Sequence, residues 1–195
     1  MMRKVFIFIT GFLFLSSFTA YGAVYKIDAA HTHIGFSVKH LVISNVMGKF
    51  KNISGSFELD GKDNIRKAVL DIKTASIDTA IEKRDNHLKS ADFFDAQKYP
   101  SITFTYKDTL SRSGNKFKVS GDLTIKNVTR EVILDMEMLG KVKDPWGFYR
   151  AGFTGRGKID RKDFGIVYNQ VLEAGGLLIG NTVNIILEFE GILKK

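Results

Sequence analysis

The chain has 195 residues, no cysteine and a formal net charge of +8, from 29 lysines and arginines against 21 aspartates and glutamates. Without cysteine, disulfide frameworks and thiolate metal sites are excluded, so packing alone must stabilise the fold. Lysine and arginine do not cluster with interleaved aromatic residues as they do on nucleic-acid-binding surfaces, so we expect no nucleic-acid partner.

The first element in chain order is an N-terminal leader. A positively charged start precedes a short apolar run, and Ala20 and Gly22 supply the small residues that signal peptidase requires. We therefore predict a signal peptide over residues 1–22, cleaved after Gly22 or Ala23, and export to a bacterial periplasm. Residues 23–195 then form a single domain, long enough to bury a sizeable core.

Most of the remaining chain shows the two-residue alternation of half-buried strands. Apolar residues share one face in about eight segments, which are 34–38, 53–59, 68–72, 102–106, 117–125, 132–138, 151–159 and 183–189. The short Lys126-Asn127-Val128 connection predicts a hairpin. Short connections predict an antiparallel sheet, and closing it into a barrel would hide both its apolar face and its edges.

The two faces of these strands differ in polarity. Outward positions carry charges, such as Lys118 and Asp135. Because charged side chains facing lipid are strongly unfavourable, these positions argue against a membrane-embedded barrel, and we expect the apolar side to face the barrel interior. Glycines also fall on the apolar face, at Gly55, Gly121, Gly155 and Gly157. They either bend strands at barrel corners or leave an empty channel, and both alternatives stay open.

One connector, between the third and fourth predicted strands, has a helical pattern. Ile81 and Leu88 recur near helical spacing, which predicts one short amphipathic helix around residues 79–91. Asp78 or Thr79 supplies the expected N-cap.

The same connector carries residues suited to acid–base chemistry. His87 with Asp85 or Asp92 would serve a hydrolase or isomerase near neutral pH, and this is the alternative function. No serine or cysteine nucleophile lies in a suitable turn nearby, which favours a structural role for the cluster.

Two further motifs invite a functional interpretation. His31 and His33 share one face of a strand, but no third ligand has a telling spacing, so we predict no metal site. The turn at Asp144-Pro145-Trp146-Gly147 carries the only tryptophan and is followed by Arg150. Its aromatic rings and arginine either close the turn or contact the head group of an amphiphile at the barrel rim.

A series of short motifs runs in order through nearly the whole chain after the leader. They are Tyr25-Lys26-Ile27-Asp28, His31 to Phe36, Val38-Lys39-His40-Leu41, Gly48-Lys49-Phe50, Ser76-Ile77-Asp78-Thr79, Arg84 to Phe94, Tyr99-Pro100, Gly121-Asp122-Leu123-Thr124-Ile125, Asp144-Pro145-Trp146-Gly147 and Arg150-Ala151-Gly152-Phe153. Together, in this order and spacing, they resemble the YceI-like family of periplasmic, polyisoprenoid-binding, lipocalin-like proteins. The extra His33 after His31-Thr32 is a departure, since family members usually carry His-Ser there.

The resemblance implies an all-β protein with an eight-stranded antiparallel, lipocalin-like barrel and a long apolar pore. It implies a homodimer that binds a polyisoprenoid or other long-chain amphiphile, without catalysis and with no cofactor besides the bound lipid. A periplasmic carrier or storage protein is therefore the leading hypothesis. A further hypothesis is that the protein is a partner of a membrane electron-transfer protein and exchanges quinone with it by transient contact with the membrane.

Strand alternation, rather than the resemblance, predicts the residues that line the pore. The expected apolar wall consists of Phe36, Val38, Phe57, Leu70, Phe104, Leu123, Leu134, Met136, Phe153, Gly155, Ile185 and Leu187. The expected head-group contacts at the pore mouth are Arg84, His87, Trp146, Arg150 and Asn169.

Overall fold

The structure, a computed structural model, describes residues 22–170 and 178–194. The strands are β1 (Ala23–Ile27), β2 (His33–His40), β3 (Ser44–Phe50), β4 (Ile53–Leu59), β5 (Ile65–Lys73), β6 (Ile77–Asp78), β7 (Ser101–Ser113), β8 (Lys116–Ile125), β9 (Val128–Lys143), β10 (Tyr149–Asp160) and β11 (Ile179–Leu193), and the helix is α1 (Glu82–Lys89). The predicted signal peptide lies outside these ranges except for Gly22. Within the ranges, no helix is both long and apolar enough to cross a bilayer.

Eight strands close into an antiparallel barrel, which confirms the predicted fold class. Their order is β1-β4-β5-β7-β8-β9-β10-β11, and β11 pairs back onto β1. The C-terminal part of β11 pairs with β1, with Leu193 opposite Tyr25, whereas its N-terminal part pairs with β2, with Leu187 opposite Ile34. Strands β2, β3 and β6 therefore extend the wall at one end of the barrel.

The alternation pattern missed three short strands, β1, β3 and β6. Strand β6 has two residues, too few to show a period, and in β1 the apolar Val24 interrupts the alternation of apolar and polar residues. In β3, Met47 is exposed on the outer face and Gly48 occupies an inward position, so apolarity does not alternate. The segment 34–38 was expected to be one of the eight barrel strands, but β1 occupies that place in the ring.

The predicted hairpin after β8 is confirmed, because Ile125 pairs with Val128 across a two-residue turn. Lys126 and Asn127 both have positive φ angles, 51° and 59°, which match the right-handed twist of the flanking strands.

The predicted helix is confirmed as α1, but the expected cap is wrong. The N-cap residue is Ile81, which makes no side-chain capping bond. Ala80 adopts a φ of 64°, and this turn separates Asp78 and Thr79 from the helix. Asp85 instead accepts hydrogen bonds from the Thr79 amide at 2.8 Å and hydroxyl at 2.5 Å, which ties the helix to the preceding turn.

Aromatic side chains fill the end of the barrel where β1 completes the ring. The Phe153 ring is fully buried and stacks on Phe189 with centroids 5.3 Å apart. Phe57 meets Phe153 edge to face at 5.3 Å and stacks on Tyr25 at 5.1 Å. We call these four rings the aromatic plug. The rings pack against each other, and Tyr25, Phe57 and Phe153 are at most 4% exposed, so we call this the closed end of the barrel.

An ion cluster around Arg150 covers the same end. The Arg150 guanidinium donates to Asp28 at 2.7 Å, Asp144 at 2.7 Å and Glu190 at 3.1 Å. Asp28 follows β1, Glu190 lies on β11 and Asp144 lies in the turn between β9 and β10. The cluster thus joins the strands that complete the ring.

These contacts change the pKa values of the cluster. Hydrogen bonds from Arg150 and His31 lower the pKa of Asp28, although partial burial opposes them. Burial also opposes ionisation of Asp144, but hydrogen bonds from Arg150 and from backbone amides of its own turn outweigh it and lower its pKa. The carboxylates in turn raise the pKa of Arg150.

Replacing Phe153 with alanine should destabilise the barrel, because the neighbouring rings of the aromatic plug cannot collapse into the space. We expect a loss of about 4 kcal/mol in the free energy of unfolding, measured by urea denaturation. Phe148→Ala is the matched control, since that ring is 44% exposed, and it should cost at most about 0.5 kcal/mol. Equal losses in the two variants would contradict a packed plug.

Replacing Arg150 with methionine should change how stability depends on pH. The pKa values of Asp28 and Asp144 are lower in the folded than in the unfolded protein. Their contribution to the free energy of unfolding is therefore complete above the unfolded pKa of about 3.9, and it is lost as pH falls through the folded pKa values. Arg150→Met should therefore lower the urea midpoint most at neutral pH, and its difference from wild type should narrow at acid pH. Lys118→Met, which removes the exposed Lys118–Asp135 pair, should show little effect.

Candidate functional site: an apolar cavity in the barrel

The rest of the barrel interior is not filled and encloses a cavity of about 430 Å³. Inward side chains of the strands form its wall, and Leu88, Phe93 and Phe94 of the helix and the segment after it cover one side. The volume lies within the usual range of small-molecule sites, and the wall is mainly aliphatic and aromatic. Such a cavity suits an apolar chain.

Most of the predicted wall residues do line the cavity. They are Phe36, Val38, Leu70, Phe104, Leu123, Leu134, Met136, Ile185 and Leu187. The other predicted wall residues lie elsewhere: Phe57 and Phe153 belong to the aromatic plug, and Gly155 is covered by Met136. Alternation identifies the inward face correctly, but it cannot show which inward positions pack against each other and which face empty space.

The interior glycines do not themselves open the channel. A Cβ atom at Gly121 would lie 2.2 Å from the Phe104 ring, and one at Gly155 would lie 2.4 Å from the Met136 sulfur. These glycines therefore make room for side chains of the neighbouring strands. Phe104 and Met136 cross them and form part of the cavity wall.

The predicted mouth residues separate between the two ends of the barrel. Arg84 and His87 of α1 lie in the cavity wall, at the end opposite the aromatic plug. Trp146 is 77% exposed in the turn at the closed end, where Arg150 forms its ion cluster. The side-chain amide of Asn169 donates to the Ile179 carbonyl and accepts from the Ile179 N–H. Asn169 is not a wall residue.

Sequence reasoning missed Arg161, which lies in the cavity wall although it is 96% buried. Its guanidinium donates to the backbone carbonyls of Ile166 at 2.7 Å, Tyr168 at 2.8 Å and Gly180 at 3.0 Å. Burial lowers its pKa from the ordinary value of an arginine. The polar Asp160–Phe164 run resembles an exposed loop in sequence, so nothing in it indicates that this arginine turns inward.

Lys39 and His40, at the end of β2, also border the cavity at its rim, where Lys39 is exposed and His40 is half-buried. They share the end of the barrel with Arg161, since His40 pairs with Ile179 at the start of β11. A basic pair at a strand end usually faces solvent, so sequence alone gives no signal for their position.

Of the residues predicted for acid–base chemistry, His87, Asp85 and Asp92, the structure brings only His87 and Asp92 into contact. His87 Nε2 lies 2.9 Å from Asp92 Oδ2, and its ring packs edge to face against Phe93 and Tyr168 at about 5 Å. Asp85 instead binds Thr79. Within the described part of the chain, the cavity wall contains no serine, threonine, aspartate or glutamate. The arrangement can hold an apolar chain and offer cationic groups at one end.

A group with metal-ligand atoms lies at the closed end. Asp28, His31 and Glu190 place their ligand atoms within 4.8 Å of one another. The Arg150 guanidinium contacts both carboxylates of this group, so a fixed cation already occupies the place where a metal would bind. His33, the other histidine of the motif, is exposed.

Comparison with known proteins agrees with this architecture. A YceI-like domain model matches residues 25–191. The UPF0312 protein plu2095 of Photorhabdus laumondii is 45% identical over 168 residues, which cover 84% of this chain and 87% of that protein.

Solved structures share the fold. A YCEI protein of Campylobacter jejuni has a TM-score of 0.70 at 37% identity, covering 80% of this chain and 90% of that chain. A polyisoprenoid binding domain from Saccharophagus degradans has a TM-score of 0.63 at 17% identity, covering 88% of this chain and 99% of that chain, a likeness of fold alone. These matches confirm the resemblance seen in the sequence motifs: the chain belongs to the YceI-like family.

Proposed function

We propose that this protein binds a long-chain amphiphile of the polyisoprenoid type and carries or stores it in the periplasm without chemical change. The observation that carries the proposal is the apolar cavity of about 430 Å³ inside a closed barrel. Burial of an apolar chain there contributes about 0.8 kcal/mol for each methylene group removed from water, so the tail alone can supply most of the affinity.

The shape of the cavity sets the direction of the ligand. The aromatic plug closes one end, so the tail points towards it. The basic wall residues, such as Arg84 and His87, lie at the opposite end, so the polar head belongs there. This orientation separates an unselective tail site from a selective head site.

The chemical class of the tail is suggested by fold similarity. The Saccharophagus degradans protein is described as a polyisoprenoid binding domain. Prenyl chains are therefore the first class to test, with saturated fatty chains of similar length as the comparison.

Binding is favoured over catalysis by the composition of the wall. A hydrolase would need a nucleophile or an activated water near the bound ligand, and the described part of the wall offers no hydroxyl or carboxylate besides tyrosines. The periplasmic location follows from the predicted signal peptide. A homodimer, and transient exchange of quinone with a membrane electron-transfer protein, remain proposals that the family resemblance suggests.

A lipid should remain bound to the protein when it is purified without detergent or heat. We expect native mass spectrometry to show a mass above that of the polypeptide, and organic extraction to release an isoprenoid or fatty compound. A pore that is empty after purification, and that takes up neither a prenyl nor a fatty chain on titration, would contradict the proposal.

Filling the cavity should abolish binding while the barrel stays folded. Leu70 faces the cavity, whereas its neighbour Val69 is 37% exposed and points outward. Leu70→Trp should prevent lipid retention, measured by mass spectrometry, because the indole occupies the tail site. Val69→Trp is the matched control and should retain lipid. Circular dichroism must show a folded barrel for both, and retention by folded Leu70→Trp would place the lipid elsewhere.

A further inference from the structure

The ionisable side chains in the cavity wall, tyrosines aside, are all of the basic type. They are Lys39, His40, Arg84, His87 and Arg161, and no aspartate or glutamate of the described residues lines the cavity. Surface charges of the two signs are usually interspersed, and the outer face of this barrel follows that pattern with pairs such as Lys107–Glu131. The cavity wall differs, because its ionisable residues among those described, tyrosines aside, are lysine, histidine and arginine.

These basic residues come from distant parts of the chain but meet at one end of the barrel. Arg161 follows the last residue of β10 and donates to the carbonyl of Gly180 at 3.0 Å, beside the pairing of Ile179 with His40. It also donates to the carbonyl of Tyr168, whose ring packs against His87 of α1. The tertiary structure therefore builds a basic end from β2, α1 and the segment after β10.

Arg161 is the central member of this group. It is 96% buried, and it forms no ion pair with a carboxylate of the described residues, although the neighbouring Asp160 attracts it at longer range. Its partners are backbone carbonyls, which orient the guanidinium but do not neutralise its net charge. A buried charge without a partner of opposite sign is costly, so proteins normally pair such a group.

Arg84, like Arg161, has neutral hydrogen-bond partners. Its Nε and Nη2 atoms donate to the side chain and carbonyl of Thr79 at 2.7 and 2.8 Å, so its partners are neutral. The nearby carboxylates serve other groups: Asp85 binds Thr79, and Asp92 lies 2.9 Å from His87. Asp160, next to Arg161, accepts from the Lys162 amide.

We infer that the amphiphile bound by this barrel carries an anionic head group, a carboxylate or a phosphate, held at the basic end by Arg161 and Arg84, with the exposed Lys39 at the rim. This inference rests on the proposed function and adds the charge of the ligand to it. An anion there supplies the missing counter-charge in surroundings of low dielectric, where charge-assisted hydrogen bonds are strongest. A neutral head group would leave Arg161 uncompensated, and an amine would add repulsion.

Chain-matched ligands test the head group separately from the tail. Delipidated protein is loaded with the neutral fluorescent probe N-phenyl-1-naphthylamine. In the first arm, geranylgeranyl phosphate, geranylgeraniol and geranylgeranyl amine are each tested for displacement of the probe. In the second arm, hexadecanoate and hexadecanol are tested in the same way. We expect at least one anion to bind about tenfold or more tightly than the alcohol of the same chain, and the amine to bind most weakly. The two arms distinguish a prenyl phosphate from a fatty acid.

The possible results separate this inference from the proposed function. If no ligand of either arm displaces the probe, the proposed function fails. If the alcohols and the anions displace it equally, the barrel binds lipids but the inference is overturned. Raising the ionic strength should weaken the preference for the anion and leave the alcohol unaffected, because salt screens only the charged contact.

Variants locate the effect at the basic end. Lys39→Gln and Arg84→Gln should each weaken binding of the preferred anion, by up to about tenfold, and change binding of the alcohol less than about twofold. Lys26→Gln is the matched control, because it removes the same charge from an exposed position on β1 at the closed end. Equal losses for the anion and the alcohol in the first two variants would indicate a structural role, and an equal effect of Lys26→Gln would indicate general attraction only. Either result overturns the inference.

Discussion

Strand β11 pairs with β10 along one edge and with both β1 and β2 along the other, and the remainder of the structure depends on this shared edge. A sheet of this length has two edges that must be paired or covered, and closure through β1 removes them from one end of the barrel. Because β2 takes the other half of the edge, the chain can place β3, β6 and α1 around the opposite end. Closure therefore produces two unequal ends.

The two ends differ in packing. At the closed end, large aromatic rings are buried and pack against each other. Beyond them, the wall is aliphatic and aromatic, and the Phe104 ring lies over Gly121. The glycine and the ring beside it act together, since the missing side chain lets the ring lie along the wall. The cavity is the space that this arrangement leaves.

The two ends also differ in electrostatics. Arg150 has three carboxylates around it, so charge at the closed end is balanced within the protein. Arg161 and Arg84 have neutral hydrogen-bond partners, so no ion pair among the described residues balances their charges. Arg150 and Arg161 are both largely removed from water, so their hydrogen-bond partners distinguish them: carboxylates surround Arg150, and backbone carbonyls surround Arg161.

The sequence by itself determined the fold class, the strand faces, the connector helix and the family. Each follows from local periodicity or from motif order, which do not require knowledge of distant contacts. Most of the apolar residues that it predicted for the wall, including Leu70 and Phe104, do line the cavity, because alternation shows which side of a strand is apolar. It did not distinguish Phe153, which packs into the plug, from wall residues with the same pattern.

Only the tertiary structure decided which end of the barrel each polar residue occupies. The sequence predicts both Arg84 and Arg150 as pore-mouth residues. In the structure Arg84 lines the cavity, whereas Arg150 joins strands at the closed end. Arg161 appears in a polar run and becomes a buried wall residue. Strand register and ring closure determine these positions through contacts between residues far apart in the chain, and such contacts leave no local signal in the sequence.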